Sequence, residues 1–344
     1  MAVHPDGPPP ARPRGTRRLR VLTYNLLLGG LGREDLIAGV IERSDADVIA
    51  LQEASDLRLV HRLGERLGMT ATIGEPSDPA SKLNVAVLSR LPVRSFENHQ
   101  HHGMLRTHLV CELRLPSRAL PTVRVHAVHL AARFGERGNG EVRRMRETRQ
   151  ILADIAAMPV MPHVLLGDFN TIAPRDTVAA TDFFSRMAEL REAGVVVRDD
   201  AGFDTPIARP QGHDPDHDAR WQSVGIHPRL DVGIPRLPWV VGPATRRLPR
   251  HQLLDRVLNL RIRRDTVTHL TGPAGYTDCY RALHDDEGRT CATWLPAARI
   301  DYVFADPRLA PRLVACEVVG SERHPDPDAL AASDHLPVLA AFRY

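Results

Sequence analysis

The stretch His163–Thr171 reads HVLLGDFNT. Val164, Leu165 and Leu166 make the short apolar run of a buried strand, and Gly167 breaks it. An acid and an amide follow at Asp168 and Asn170, and alternation along an extended chain points both side chains the same way. A carboxylate beside a carboxamide at a strand's end suits holding a phosphate, its attacking water or a hard cation. The same residues also suit an Asx-rich turn that closes a core strand. Other strand-like runs of this chain end in acids, amides or histidines in the same manner, and they favour the first reading.

Upstream, LRVLTYNLLL (Leu19–Leu28) reads as a first strand with Asn25 near its end. An unpaired buried amide costs on the order of 1–3 kcal/mol, so Asn25 is either a turn former or a ligand. Leu36, Ile37, Val40 and Ile41 recur at helical spacing within 33–44. Asp47–Leu51 is a second buried strand. Glu53, just past it, is a solvent-facing residue at the strand's mouth or a metal ligand. An amphipathic helix over 57–68 follows, then strands in LNVAVLSRLPV, THLVCELRL and PTVRVHAVHLAAR. In the last of these Val123, Val125, Ala127 and His129 share a face; His129 is either a satisfied core histidine or a catalytic one. The cluster His99, His101 and His102 reads as a solvated loop, and Glu141–Ala157 as a helix. Arg133–Arg149 is either a phosphate-binding rim or a solvated helix face.

Downstream of Thr171 the pattern weakens. Gly202 to Pro273 is rich in proline and glycine, and a structureless loop of that length is improbable in a compact domain. It reads as an insertion with small helices of its own, packed across one face. Its run HDPDHD (His213–Asp218) is a flexible polar turn or, alternatively, a metal site. RIDYVFAD (Arg299–Asp306) is a strand carrying Asp301, ACEVVG is another, and SDHLPVLAAF sets Asp334 and His335 at the start of the last strand.

Composition bounds the function. A chain of 344 residues with 43% hydrophobic and 25% charged content is ordinary for a soluble globular enzyme. A net charge of +3 gives no global basic field, and 5% aromatic content argues against a broad nucleic-acid groove. Four cysteines without C-x-x-C spacing signal neither zinc nor a redox pair, which implies a reduced, cytoplasmic setting. The first 18 or so residues, rich in proline and arginine, read as a disordered leader without the apolar core of a signal peptide. No apolar run approaches the roughly 18 residues of a membrane span. A monomer is expected.

Together the strand-end residues are Asn25, Glu53, His129, Asp168, Asn170, Asp301, Asp334 and His335, a set rich in oxygen donors and without cysteine. Hard oxygen donors favour Mg²⁺ or Mn²⁺ over Zn²⁺. No G-x-S-x-G elbow supports a covalent route. The motifs TYN, LQEA, VHL, GDFN, RIDYVF and SDHLPV, in this order over residues 19–344, resemble the endonuclease/exonuclease/phosphatase superfamily of metal-dependent phosphoesterases. The resemblance implies an α/β four-layer sandwich, with two mixed β-sheets packed face to face and helices outside. It implies that Asn25, Glu53 and Asp334 lie on the metal side, and that Asp168 and Asn170 position the attacking water and phosphate. It also implies that His129 donates to the phosphate, and that His335, oriented by Asp301, contacts the scissile group. A tyrosine-led first motif, YNLLLGG, and Ala54 after the Gln-Glu pair depart from the abasic-site branch. The G-D-L-N-Y-R pattern of inositol phosphatases is absent. What remains is a group of deoxyribonuclease-like nucleases and sphingomyelinase-like lipid phosphodiesterases, so the substrate is a nucleic acid, phospholipid or small-molecule phosphoester. A catalytically silent phospholigand-binding protein is the reading from another class.

Overall fold

Each apolar run read above as a strand forms one. The first half of the chain supplies β1 (Arg18–Asn25), β2 (Val48–Gln52), β3 (Thr70–Gly74) and β4 (Val85–Ser89). It continues with β5 (Val93–His99), β6 (His108–Arg114), β7 (Thr122–His129) and β8 (His163–Asp168). A small hairpin follows, β9 (Val196–Arg198) with β10 (Asp204–Pro206). The chain closes with β11 (Thr277–Asp278), β12 (Asp301–Ala305), β13 (Leu313–Val318) and β14 (Val338–Arg343). This computed structural model describes residues 18–76, 81, 83–132, 140–208, 210, 212–234, 252–260, 262–295 and 297–344. The leader, residues 133–139 of the arginine-rich segment and residues 235–251 of the insertion lie outside the described residues.

Two six-stranded sheets result, ordered β13-β14-β1-β2-β4-β3 and β11-β12-β8-β7-β6-β5. Each holds one parallel pair, β1/β2 and β7/β8, among antiparallel neighbours. A parallel pair needs a crossover, and helices α1 (Glu34–Ser44) and α3 (Gly140–Ala157) provide the two. Helix α2 (Leu57–Leu67) begins where Asp56 accepts from the amides of Arg58 and Leu59, at 3.0 and 3.2 Å, and ends at left-handed Gly68. Such a cap contributes about 1 kcal/mol. Its Leu59, Val60 and Leu63 bury against the first sheet. The sheets pack face to face through β1 and β2 against β7, β8 and β12, as the four-layer sandwich requires.

Alternation decides which side chains meet between the sheets. Val123, Val125 and Ala127 of β7, Val164 and Leu166 of β8, and Val303 and Ala305 of β12 join the central core. Leu165, Tyr302 and Phe304 face outward, into a second cluster beneath α3 and the helix Asp265–Thr271. There Phe169 stands edge-on to Tyr302 and Phe304, at 5.7 and 5.0 Å between centroids. Each such pair contributes about 0.5–1.5 kcal/mol beyond burial, and the clasp pins the backbone directly after Asp168. The inward columns end in polar residues: His129, Asp168 and Asp301 continue the same parity.

Four expectations need correction. Asn170 does not extend the strand: its φ of 50° turns the chain left-handed, and its amide donates to Asp168 Oδ1 at 2.8 Å, an Asx turn. His99 is not in a solvated loop but ends β5, stacked on His108, while His101 bonds Asp154 at 2.8 Å. HDPDHD is not a flexible turn. Asp214 caps helix α5 (Pro215–Ser223; α4 is Ala180–Glu192), Pro215 opens it, and His217 stacks on buried Trp221. In the arginine-rich segment Arg144 is buried rather than solvated, bonded to Glu141 and to the carbonyl of Ala131. The added layer also starts before Gly202. Met187 and Leu190 of α4 and Val196 of β9 share one apolar cluster with Trp221, Leu230 and Val232. The helix Asp265–Thr271, by contrast, belongs to the main body.

Candidate active site

Three side chains of the second sheet stand in register: Asp301 pairs with Asp168, and Asp168 with His129. Their place at the strand ends follows from the alternation above, and Gly167 allows the close spacing. A Cβ built on Gly167 would lie 1.9 Å from the carbonyl oxygen of Val128, so only glycine lets β7 and β8 approach there. From the opposite sheet Asn25, at the end of β1, donates its Nδ2 to Asp168 Oδ2 at 3.0 Å and to Glu53 Oε1 at 3.4 Å. Its Oδ1 accepts from the amide of Leu27 at 3.0 Å. Glu53, itself left-handed with φ 54°, accepts from the amide of Leu28 at 2.8 Å.

The last motif closes the site. His335 Nδ1 lies 2.9 Å from Asp301 Oδ2, while its Nε2 sits 4.0 Å from both Asp168 Oδ2 and Asp334 Oδ1. Nδ1 therefore carries a proton toward Asp301, and Nε2 is left facing two further carboxylates. His129 Nε2 is 3.5 Å from Asp168 Oδ2, and its Nδ1 is buried without a partner among the described residues. All eight residues named from the sequence converge here. Asn25, His129, Asp168 and Asp301 are buried, His335 is 6% exposed, and Glu53, Asn170 and Asp334 are half-buried at the mouth. His129 thus lies behind Asp168 rather than at the opening.

The charges follow from burial. Desolvation, aided by the charge of Asp301, pushes Asp168 up to about 7. Burial likewise pushes Asp334 up to about 6, with Glu53 adding to it and His335 opposing. For His335 burial opposes the cation, but the carboxylates, Asp301 foremost and then Asp334, hold its pKa well above the ordinary value. Burial, aided by the positive charges of Arg106 and His335, holds His129 well below it, and the ring is neutral. Cys291, beside His335, is pushed up to about 11 by burial and is a thiol, not a nucleophile.

Several supporting residues were given no role from the sequence. Thr290 Oγ1 donates to Asp301 Oδ2 at 2.6 Å and accepts from the amides of Ile300 and Asp301. Ser333 Oγ donates to the carbonyl of Asn25 at 2.7 Å, joining the first and last motifs. Buried Arg33 donates to the carbonyls of Leu26, Leu27 and Ala332 and ties the same two loops. Arg299 forks onto Asp278 at 2.8 and 2.7 Å, reaches Asp176 at 2.8 Å and lies over the Tyr302 ring, fixing the entry to β12. Arg299 and Ser333 stand inside the motifs RIDYVF and SDHLPV, whereas Thr290 and Arg33 stand in none.

The family model for the Endonuclease/Exonuclease/phosphatase family matches residues 22–335. No curated protein matches the sequence. Among solved structures, an endonuclease/exonuclease/phosphatase from Beutenbergia cavernae DSM 12333 is 19% identical, with a TM-score of 0.52 over 95% of this chain and 72% of that one. An AP endonuclease from Archaeoglobus fulgidus is 14% identical, with a TM-score of 0.55 over 94% and 99% of the two chains. The 3′ phosphatase NExo from Neisseria, bound to a product DNA hairpin, is 16% identical, with a TM-score of 0.51 over 95% and 100%. At these identities the likeness establishes the fold, and the family match over nearly the whole chain carries the rest. The chain belongs to the endonuclease/exonuclease/phosphatase family and is a hydrolase of phosphoester bonds.

Proposed function

We propose that this chain is a Mg²⁺- or Mn²⁺-dependent phosphoesterase that cleaves phosphodiester or phosphomonoester bonds by in-line attack of water. One observation carries the reading: Asp301, Asp168 and His129 stand in register, with His335 held on Asp301 at 2.9 Å. Water attack on phosphorus needs an oriented nucleophile, neutralised equatorial oxygens and help for the leaving oxygen. Asp168, raised to about 7, is matched to accept a proton from water near neutral pH. Asn170 at the mouth orients the water and the phosphate. The imidazolium of His335 offers its Nε2–H to the phosphate. His129, neutral and buried, steadies Asp168 from behind.

The donor set fits a hard cation. Four carboxylates, Glu53, Asp168, Asp301 and Asp334, surround one imidazolium, and two of them are pushed toward the neutral form. Asn25, Glu53 and Asp334 would hold the ion, which when bound supplies positive charge against the phosphate oxygens.

Two of the similar structures are described as an AP endonuclease and as a 3′ phosphatase with a DNA hairpin, which makes nucleic-acid phosphoesters the first substrates to try. A lipid phosphodiester is the second reading. Leu28 and Leu31, 57% and 72% exposed, stand on the loop whose amide holds Glu53 and give the rim an apolar edge. The added layer narrows the same mouth: a Cβ on Gly233 would sit 3.8 Å from Asp334 Oδ2, and Leu230 and Val232 share a cluster with Leu27 and Trp294. The test is a turnover screen over plasmid DNA, a 3′-phosphorylated oligonucleotide, RNA, sphingomyelin vesicles and a bis-aryl phosphodiester. Each substrate is assayed in excess chelator and again with Mg²⁺ or Mn²⁺. Full activity in chelator would overturn the metal-dependent mechanism, and a folded chain that turns over none of them would favour a silent binding protein.

A further inference from the structure

The turn after β1 carries two leucines out of the protein beside the catalytic pocket. Leu26 and Leu27 are buried, whereas Leu28 and Leu31 are each more than half exposed. The chain is left-handed at Leu27 (φ 51°) and Leu28 (φ 50°), a conformation leucine rarely adopts, and it persists only where the surroundings impose it. Here the amide of Leu27 donates to Asn25 Oδ1 at 3.0 Å and that of Leu28 to Glu53 Oε2 at 2.8 Å. The amides of Gly30 and Arg33 donate to the carbonyls of Leu27 and Gly30, at 3.0 and 2.9 Å. Gly29 lies against Ser55 and Asp56, where a Cβ would meet Ser55 Oγ at 2.6 Å. Leu57, 42% exposed, opens α2 directly after that segment. The turn is a fixed platform built on two residues of the site, Asn25 and Glu53, and its outer side is leucine.

We propose that Leu28 and Leu31, with Leu57 beside them, seat the mouth of the active site on a zwitterionic phospholipid surface, where the phosphoester that enters is that of a lipid headgroup, a role that rests on the phosphoesterase reading and selects its lipid branch.

Singly exposed leucines are ordinary, but these share one rigid turn at the edge of the pocket. A surface that covers them therefore also covers the mouth at Glu53. Their number points away from a protein partner. Two or three leucine side chains fall far short of the roughly 800 Å² per partner of a stable protein interface, so neither a second copy nor another folded chain is held by them. Dipped into the boundary between headgroups and acyl chains they give a weak, reversible association, each worth roughly tenfold. A rigid turn adds little ordering cost to that step.

The charges around the turn point away from nucleic acid. Leu31 borders a shallow cleft with Glu34, Asp35, Arg62 and Arg66. Arg62 is paired with Glu34 at 2.7 Å, Arg66 with Glu42 at 2.9 Å, and Asp35 with Arg229 at 3.0 Å. A nucleic-acid backbone is bound by cations free to replace its counterions, which these paired arginines do not offer. A rim of neighbouring opposite charges is instead complementary to phosphocholine headgroups, which carry both signs and no net charge.

The full chain with Mg²⁺ is sedimented with phosphatidylcholine vesicles at millimolar lipid, and the bound fraction is read without any turnover. The wild type should partition onto the vesicles, with little change between low and high salt. Leu31→Gln should cut the partition coefficient about tenfold. Adding Leu28→Asn should cut it further, and asparagine tolerates the left-handed backbone. Leu31→Gln should also keep the wild-type thermal midpoint and the wild-type rate on a water-soluble bis-aryl phosphodiester. No partition of the wild type, or equal partition by wild type and Leu31→Gln, overturns the proposal. Release from the vesicles on adding salt overturns it too, since the contact would then be one of charge. So does an affinity for duplex DNA that falls in step in Leu31→Gln, which would make the leucines a nucleic-acid edge. Turnover of the soluble diester without vesicle binding would end this proposal alone, whereas vesicle binding without turnover of any phosphoester would end the phosphoesterase reading.

Discussion

Replacing Asp301 by Asn keeps the side chain's shape and removes one charge 2.9 Å from His335 Nδ1. Burial disfavours the imidazolium, yet Asp301 is the foremost group carrying its pKa well above 6.5. An opposite charge at this range is worth about one to three pKa units, or roughly 1.4–4 kcal/mol between the two protonation states. In the proposed mechanism the protonated ring is the working form, so activity is expected to fall as pH rises through its pKa. Removing Asp301 lowers that pKa, and the basic limb of kcat/KM moves about one to three pH units toward acid. His335→Ala removes the donor altogether and should cost about 10²–10³-fold on the plateau where the wild-type ring is protonated, and less at higher pH. Its profile should lose the basic limb rather than shift it. The assay is kcat/KM on an activated phosphodiester from pH 5.5 to 9.5 at saturating Mg²⁺, with thermal midpoints of each variant. A purely structural pair would lower the midpoints and leave the profile in place. An unmoved basic limb in a folded Asp301→Asn protein would refute the assignment of that limb to His335.

Glu53→Ala removes a carboxylate from the metal side and should weaken Mn²⁺ binding at least tenfold, read by the signal of free Mn²⁺ without any substrate; unchanged binding would remove Glu53 from the ligand set. Gly167→Ala sets a methyl group 1.9 Å from the Val128 carbonyl and must part β7 from β8, an overpacking cost of about 1–3 kcal/mol or more. Its thermal midpoint should fall and turnover with it, because Asp168 rides on the next residue; a midpoint equal to wild type would show that the strands tolerate the group. His108, His126 and His163 are held below their ordinary pKa by burial, so the stability they contribute is present above about pH 6.5 and is lost below it, at roughly 1.4 kcal/mol per pH unit each. Asp168 and Asp334, raised, work the other way, so the test is the difference between two proteins: between pH 7 and 5.5 the urea midpoint of the chelated wild type should move further toward instability than that of His126→Phe, and equal slopes for the two would discard His126 as a contributor.

The sheets were legible because burial on both faces writes continuous apolar runs, and a period of two marks the inward side. VRVHAVH set His129 in the same column as Val123 and Val125, and the register row through Asp168 bears that parity out. The site was legible for a related reason. An acid or amide directly after such a run has to lie at the sheet's edge, where a buried charge finds partners. Glu53 and Asn170 show where this logic stops, since both sit at positive φ and their aim is set by a turn rather than by alternation. The helix hidden in HDPDHD carried a local signal, Asp-Pro as cap and first residue, which the polar composition masked. Thr290 and Arg33 carried none, and Ser333 only its place at the head of SDHLPV. Arg33 and Ser333 donate to backbone carbonyls, Thr290 bonds Asp301 from eleven residues away, and Ser333 reaches 308 residues back to Asn25. His99 and His101 misled because their partners, His108 and Asp154, lie on β6 and α3, and no local pattern joins them.

The burial that makes the site hard to charge also gives it two distinct proton-linked states. Asp168 and Asp334 are pushed toward neutrality first by burial, and then by the negative charge of their neighbours, Asp301 for both and Glu53 for Asp334. A divalent cation reverses that balance, since it favours the ionised forms of the carboxylates around it. Binding a metal near neutral pH must therefore expel protons, and metal affinity must rise with pH through the region of 6 to 7. His335 answers to the same neighbours with the opposite sign: the acids that resist ionising together are the ones that keep its imidazolium charged. The proposed mechanism then assigns the acidic limb of activity to the carboxylates and the basic limb to His335. The pH window between them is set by one geometric fact, the convergence of two sheet ends on a pocket with more acids than cations.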